Sequence, residues 1–119
     1  MDDATAYKIL KLVHADPNIS QRVLAEELGI SVGKANYCLK ALMEKGFIKA
    51  RNFYKSTNKR GYVYLLTSRG FTEKAQVTFR FLNHKMREYE ALETEIKQIR
   101  SEAEQMIREN IPLAEERGS

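Results

Sequence analysis

Lys34, Asn36, Tyr37 and Lys40 fall within two helical turns of one another, and their side chains share a capacity to read an edge rich in hydrogen-bonding groups. An asparagine amide can pair bidentately with N6 and N7 of adenine, and a lysine can donate to O6 and N7 of guanine. Tyr37 can reach a phosphate oxygen or a thymine methyl. Ser31, through its hydroxyl or its backbone N–H at a helix N-terminus, suits a phosphate. Val32 and Gly33 keep that first turn small enough for close approach. A second group, Lys55, Ser56, Thr57, Asn58, Lys59 and Arg60, puts cations among hydroxyl and amide donors. Such a run suits a phosphate backbone or a narrow minor groove. The expected chemistry is recognition of double-stranded DNA.

Nothing in the chain has the spacing of bond-making machinery. There is no nucleophile–base pair, no phosphate-cradling glycine loop and no G-x-G-x-x-G stretch, so no enzymatic activity and no cofactor are expected. His14 and His84 stand apart from each other and from any cluster of ligand spacing, so no metal site is expected. Cys38 is the sole cysteine and cannot form an internal disulfide; its place on an apolar stripe reads as a small buried hydrophobe. A redox role would require exposure or a cationic neighbour, for which Lys34 one turn away is the sole support.

The elements that must hold these residues can be read from capping and periodicity. Ala6, Ile9, Leu10 and Val13 share one face of a first helix over Thr5 to His14, ended by Asp16-Pro17-Asn18. Ser20 is an N-cap, with Ile19 and Leu24 at hydrophobic-staple spacing. The helix from Gln21 to Leu28 is expected to bury Val23, Leu24 and Leu28 and to expose Gln21, Arg22, Glu26 and Glu27. Gly29 ends it by adopting the left-handed conformation. Ser31 caps a third helix, about 32–45, whose inner stripe is Ala35, Cys38, Leu39, Leu42 and Met43, with Gly46 as its stop. Two helices joined by a short glycine-containing turn make a helix-turn-helix. Two β-like runs follow, 47–51 and 61–66, with a basic loop at 52–60 between them. A hairpin with a basic tip after a helix-turn-helix is a wing.

From Thr67, itself an N-cap with Leu66 and Phe71 at staple positions, the pattern is helical without a proline until Pro112. A helix of some 40 residues spans roughly 60 Å. Leu82, Tyr89, Ile96 and Ala103 fall on heptad a positions, and Lys85, Leu92, Ile99 and Met106 on d positions. Such a seam calls for a partner helix, most economically that of a second copy in a homodimer. The g positions Glu88, Glu95, Glu102 and Glu109 are all acidic, which leaves parallel and antiparallel pairings both open. Folding of the helix back over its own domain is the alternative to dimerisation.

Charge supports the same division. The 119 residues carry a formal +4, but residues 1–82 hold 14 Lys/Arg against 7 Asp/Glu, while residues 83–119 hold 6 against 9. No acidic residue lies between Glu44 and Glu73. A basic lobe with an acidic tail suits a polyanion at one end. No apolar run approaches the roughly 20 residues that span a bilayer, and the acidic N-terminus lacks a signal-peptide pattern. A cytoplasmic protein without membrane contact is expected.

The expected fold class is mainly α with a small β-hairpin (α+β): a winged helix-turn-helix at 1–70, a long C-terminal dimerisation helix at 71–110, and a frayed tail at 111–119. The stretches ISVGKANYCLKALMEKGFIKARNF, KRGYVYLLTSRG and FLNHKMREYEAL resemble MarR-type winged-helix transcriptional regulators, and among these the short subgroup associated with exopolysaccharide gene clusters. The resemblance covers about residues 6–100. It implies a dimeric DNA-binding regulator, commonly a repressor, with major-groove contacts at Val32, Gly33, Lys34, Asn36, Tyr37 and Lys40 and wing contacts from Lys55 to Arg60. The chain differs from longer members in having little before its first helix and one C-terminal helix where they have two. No small-molecule effector can be named from the sequence. Two other readings remain open at this point: an architectural protein that binds DNA without sequence choice, and a winged-helix adaptor whose long helix docks another protein.

Overall fold

The computed structural model describes residues 1–54 and 60–109. Its order is α1 (Asp3–Ala15), α2 (Gln21–Leu28), α3 (Val32–Glu44), β1 (Ile48–Tyr54), β2 (Arg60–Leu66) and α4 (Ser68–Arg108). This is the winged-helix architecture expected from the sequence: mostly helical, with a two-stranded antiparallel hairpin and a long final helix.

Helix α1 starts two residues before the expected position because Asp2 caps it, its Oδ1 accepting from Thr5 N–H at 2.9 Å. Hydrogen bonds from Thr5, its side chain first and then its backbone, hold the Asp2 carboxyl below its ordinary range. Ala6, Ile9, Leu10 and Val13 are buried, as their spacing requires. Ser20 and Ser31 cap α2 and α3 by accepting from Val23 and Lys34 N–H at 3.1 and 3.0 Å. Each helix closes on a left-handed glycine, Gly29 at φ 68° and Gly46 at φ 79°. The residue beyond each glycine reaches back five residues, Ile30 N–H to Ala25 O and Phe47 N–H to Leu42 O, both at 3.0 Å. The carbonyls of Ala25 and Leu42, in the last turn of each helix, are thereby satisfied.

One burial expectation for α2 is corrected. Leu24 and Ala25 face the core, with Leu28 partly buried, whereas Val23 is exposed. An eight-residue helix has room for one narrow stripe, and adjacent positions lie about 100° apart on it. Ala25, small and easily passed over, takes the inward place. In α3 the inner stripe is as expected, with Ala35, Cys38, Leu39 and Leu42 buried and Met43 partly so.

The hairpin is longer than the apolar pattern indicates. Strands β1 and β2 pair from Ile48↔Leu66 through Ala50↔Tyr64 to Tyr54↔Arg60. Residues 52–54, expected in the loop, are strand, because Phe53 and Tyr54 are good strand formers whose backbones find partners in Gly61 and Arg60.

The turn from β2 into α4 is fixed by Thr67. Its Oγ1 accepts from Gly70 N–H at 3.0 Å and its hydroxyl donates to Gly46 O, while Thr67 N–H donates to Phe47 O at 3.1 Å. One side chain thus caps α4 and ties it to the stop of α3. Gly70 allows the approach: a Cβ there would lie 2.0 Å from Phe47 O.

The chain divides into two compact units, Met1–Leu82 and Asn83–Ser119. The first includes the opening turns of α4, where Val77 is fully buried, Phe81 stacks on Tyr7 at 4.8 Å, and Arg80 pairs with Asp3 at 3.2 Å. The described part of the second unit continues α4 and is solvent exposed at every position. The tail expected to fray, 111–119, lies outside the described residues. Among the described residues, no helix is long and apolar enough to cross a membrane.

Candidate nucleic-acid interface

The two serine caps and two glycine stops set the geometry of α3. With Ala35, Cys38, Leu39 and Leu42 against the core, the opposite side carries Val32, Gly33, Lys34, Tyr37 and Lys40, all exposed. Tyr37 keeps 70% of its full accessibility and Val32 47%. An aromatic ring left this open gains nothing from the fold. Gly33 meets nothing within 4 Å of where a Cβ would stand, so internal packing does not demand glycine there. Ser31 Oγ is occupied as the cap acceptor of Lys34 N–H. Its hydroxyl hydrogen is therefore the group it can offer outward, beside the backbone N–H groups of the first turn.

Asn36 is placed differently from its neighbours. It is half-buried at the edge of the exposed face, and its Oδ1 accepts from Gln21 Nε2 at 3.2 Å. The same Gln21 Nε2 lies 3.2 Å from the hydroxyl oxygen of Tyr64, whose side chain is 4% exposed. Gln21 therefore does not lie on the solvated face of α2 expected from the sequence. It joins α2, α3 and β2 through one amide. Neither Gln21 nor Tyr64 carried a signal, because their contact spans 43 positions and depends on helix packing.

On the hairpin, Lys49 and Arg51 are exposed on one face of β1, opposite in sense to Ile48, which is buried. Both line a cavity of about 300 Å³ together with Val13, His14, Pro17 and Phe71. His14 Nδ1 lies 2.7 Å from Lys74 Nζ and, because ammonium can only donate, accepts from it. Lys55, Ser56, Thr57, Asn58 and Lys59 lie outside the described residues. Arg60 begins β2 opposite Tyr54. Cys38, 2% exposed, sits among the apolar residues of the core.

In the second unit, Tyr89, Leu92, Ile96, Ile99 and Met106 are between 44% and 63% exposed, and Ala103 is exposed with them. Leu82, which ends the first unit, is 50% exposed. Lys85 forms an ion pair with Glu88, 3.2 Å away along the same helix.

Residues 2–49, from the cap of α1 to the start of β1, match the winged helix-turn-helix DNA-binding family. The transcriptional regulator SlyA has a similar structure, with 25% identity over 89% of this chain and 73% of its own and a TM-score of 0.61. A structure of MarR shares 25% identity over 88% of this chain and 74% of its own, with a TM-score of 0.52. The PcaV transcriptional regulator from Streptomyces coelicolor, in complex with its natural ligand, is alike in fold: 15% identity, 90% of this chain, 74% of its own, and a TM-score of 0.61. No curated protein matches the chain by sequence. The fold is thus that of a winged helix-turn-helix, shared with the structures of SlyA and MarR.

Proposed function

We propose that this protein is a MarR-type, sequence-specific transcriptional regulator that binds double-stranded DNA as a homodimer and acts as a repressor in the cytoplasm, without enzymatic activity. The observation that carries this reading is the exposed face of α3, where Lys34, Tyr37 and Lys40 stand open to solvent on a helix locked to the core by its opposite side. A rigidly held helix with donors, a cation pair and an unpacked aromatic on its outer face suits insertion into a major groove. The basic hairpin beside it in sequence, with Lys55, Lys59 and Arg60, suits the neighbouring backbone or minor groove. The exposed apolar row from Leu82 to Met106 supports pairing of two C-terminal helices, since such a row is costly to leave in water. Two copies of α3 would then address two half-sites of a palindrome. The stretches resembling the short exopolysaccharide-associated subgroup favour that placement within the MarR type.

Repression is tested by a transcriptional reporter fused to the promoter upstream of the protein's own gene. Removing the protein is expected to raise reporter output, and supplying Lys40→Ala together with Tyr37→Ala in its place is expected to leave it raised. Lowered output on removal would make the protein an activator. Output that ignores the protein at every promoter of its neighbourhood would contradict the regulatory reading.

A further inference from the structure

We infer that Tyr62 on β2 is a further DNA-binding residue, its hydroxyl donating to a phosphate oxygen of the strand that borders the groove filled by α3; this rests on the DNA-reading role proposed for α3. Side chains alternate between the two faces of a strand. Tyr64 and Leu66 turn toward the core, Tyr64 buried in it and Leu66 packed against it. Tyr62 shares their face, two residues nearer the hairpin tip, where it stands opposite Asn52 in the ladder. The core has ended there, and Tyr62 is 54% exposed. Its ring still has a support: it lies nearly parallel to the ring of Tyr64, with centroids 6.3 Å apart. Among the described residues, no hydrogen bond engages its hydroxyl.

A chain of contacts ties this position to α3. The Tyr64 hydroxyl lies 3.2 Å from the side-chain amide of Gln21, and that amide lies 3.2 Å from the amide of Asn36. Both contacts hold whichever way the two amides are turned. Tyr62 is therefore on the face by which the hairpin meets α2 and α3, one ring further toward the tip. The major groove is about 12 Å wide, so a helix seated in it has a sugar–phosphate strand on either side. On the hairpin side, Tyr62 offers that strand an open donor, and tyrosine hydroxyls are among the groups that bind phosphate oxygens. A ring already stacked on Tyr64 gives up little side-chain freedom in making the bond. Position rather than charge recommends Tyr62, which is why a search for cations along the chain passes over it.

Tyr62→Phe removes the hydroxyl and keeps the ring, so the stack on Tyr64 is retained. Affinities of the full-length protein and this variant are measured for a duplex from its own promoter region and for a random duplex, over a salt series. The variant is expected to bind both duplexes about fivefold more weakly for each protomer bound, the worth of roughly one hydrogen bond. The loss is equal for the two because a phosphate carries no sequence information. The log–log salt slope is expected to stay unchanged, because no cation is lost. That constancy separates Tyr62 from Lys59 and Arg60. Ethylation interference then locates the contact on the promoter duplex. Ethylating one phosphate in each half-site is expected to weaken the wild type and to cost Tyr62→Phe nothing. This pattern is read from bound protein alone, so it stands even if the variant is less stable. Wild-type affinity of Tyr62→Phe for both duplexes overturns the inference. So does a loss confined to the promoter duplex, which would make Tyr62 a reader of bases, and so does an ethylation pattern that the substitution leaves unaltered. If the wild type binds neither duplex, the DNA-reading role of α3 itself fails, which is a different result from tight binding that ignores the Tyr62 hydroxyl.

Discussion

Gly70 is the residue on which the joint between the α3–β1 turn and the start of α4 depends. A Cβ at this position would sit 2.0 Å from the carbonyl oxygen of Phe47, which is backbone that Thr67 and Leu42 already hold in place. Gly70→Ala is expected to destabilise the fold by about 3 kcal/mol, near the top of the range for overpacking. Thermal unfolding measures this, and an unchanged melting temperature would show that the α3–β1 turn is softer than described. Gly33 is the contrast: it has the same residue type but open space around it, so Gly33→Ala is expected to leave stability nearly unchanged. Sequence pattern placed Lys34, Tyr37 and Lys40 on the open side of α3 because one helical face of five apolar residues, Ala35, Cys38, Leu39, Leu42 and Met43, fixes the other. It did not reveal the tie between Gln21 and Asn36, since an amide–amide contact between two helices leaves no periodicity.

At the scale of elements, caps and stops were the most legible features. Ser20, Ser31 and Thr67 each accept the expected backbone N–H, and Gly29 and Gly46 each take the left-handed conformation. These are local devices whose geometry involves only a few neighbouring residues, so residue type alone announces them. Strand length was less legible. Asn52-Phe53-Tyr54 looked like loop because a polar, basic run follows it, and its pairing depends on residues across the hairpin. The element with the clearest testable role is the wing. Lys59→Ala with Arg60→Ala is expected to weaken binding to specific and random duplex alike, and to reduce the log–log salt slope by about 2, as each lost phosphate contact contributes roughly 0.9. A salt titration of both duplexes measures it. An unaltered affinity for random duplex would remove the wing from the interface.

At the scale of the molecule, a compact unit, Met1–Leu82, is followed in the chain by a helical unit whose apolar row, from Tyr89 to Met106, is exposed among the described residues. A heptad row is visible in sequence because it repeats, whereas the pairing direction depends on the second copy and so is not written in the spacing. Ile96→Glu places an acid in the centre of that row in both copies. It is expected to leave the lobe folded and to convert a dimer into a monomer by analytical ultracentrifugation. Affinity for a palindromic site should then fall by at least about a hundredfold, because two linked contacts become one. Random-duplex affinity should fall far less. The most direct measurement is equilibrium binding of the full-length protein to a duplex from its own promoter region and to a random duplex of equal length, over a salt series, with stoichiometry. Two protomers are expected to occupy the promoter duplex, and that duplex is expected to outcompete random DNA at every salt concentration. Equal, steeply salt-dependent binding to both duplexes would contradict sequence-specific regulation and favour an architectural role, and binding to neither would contradict the DNA reading altogether.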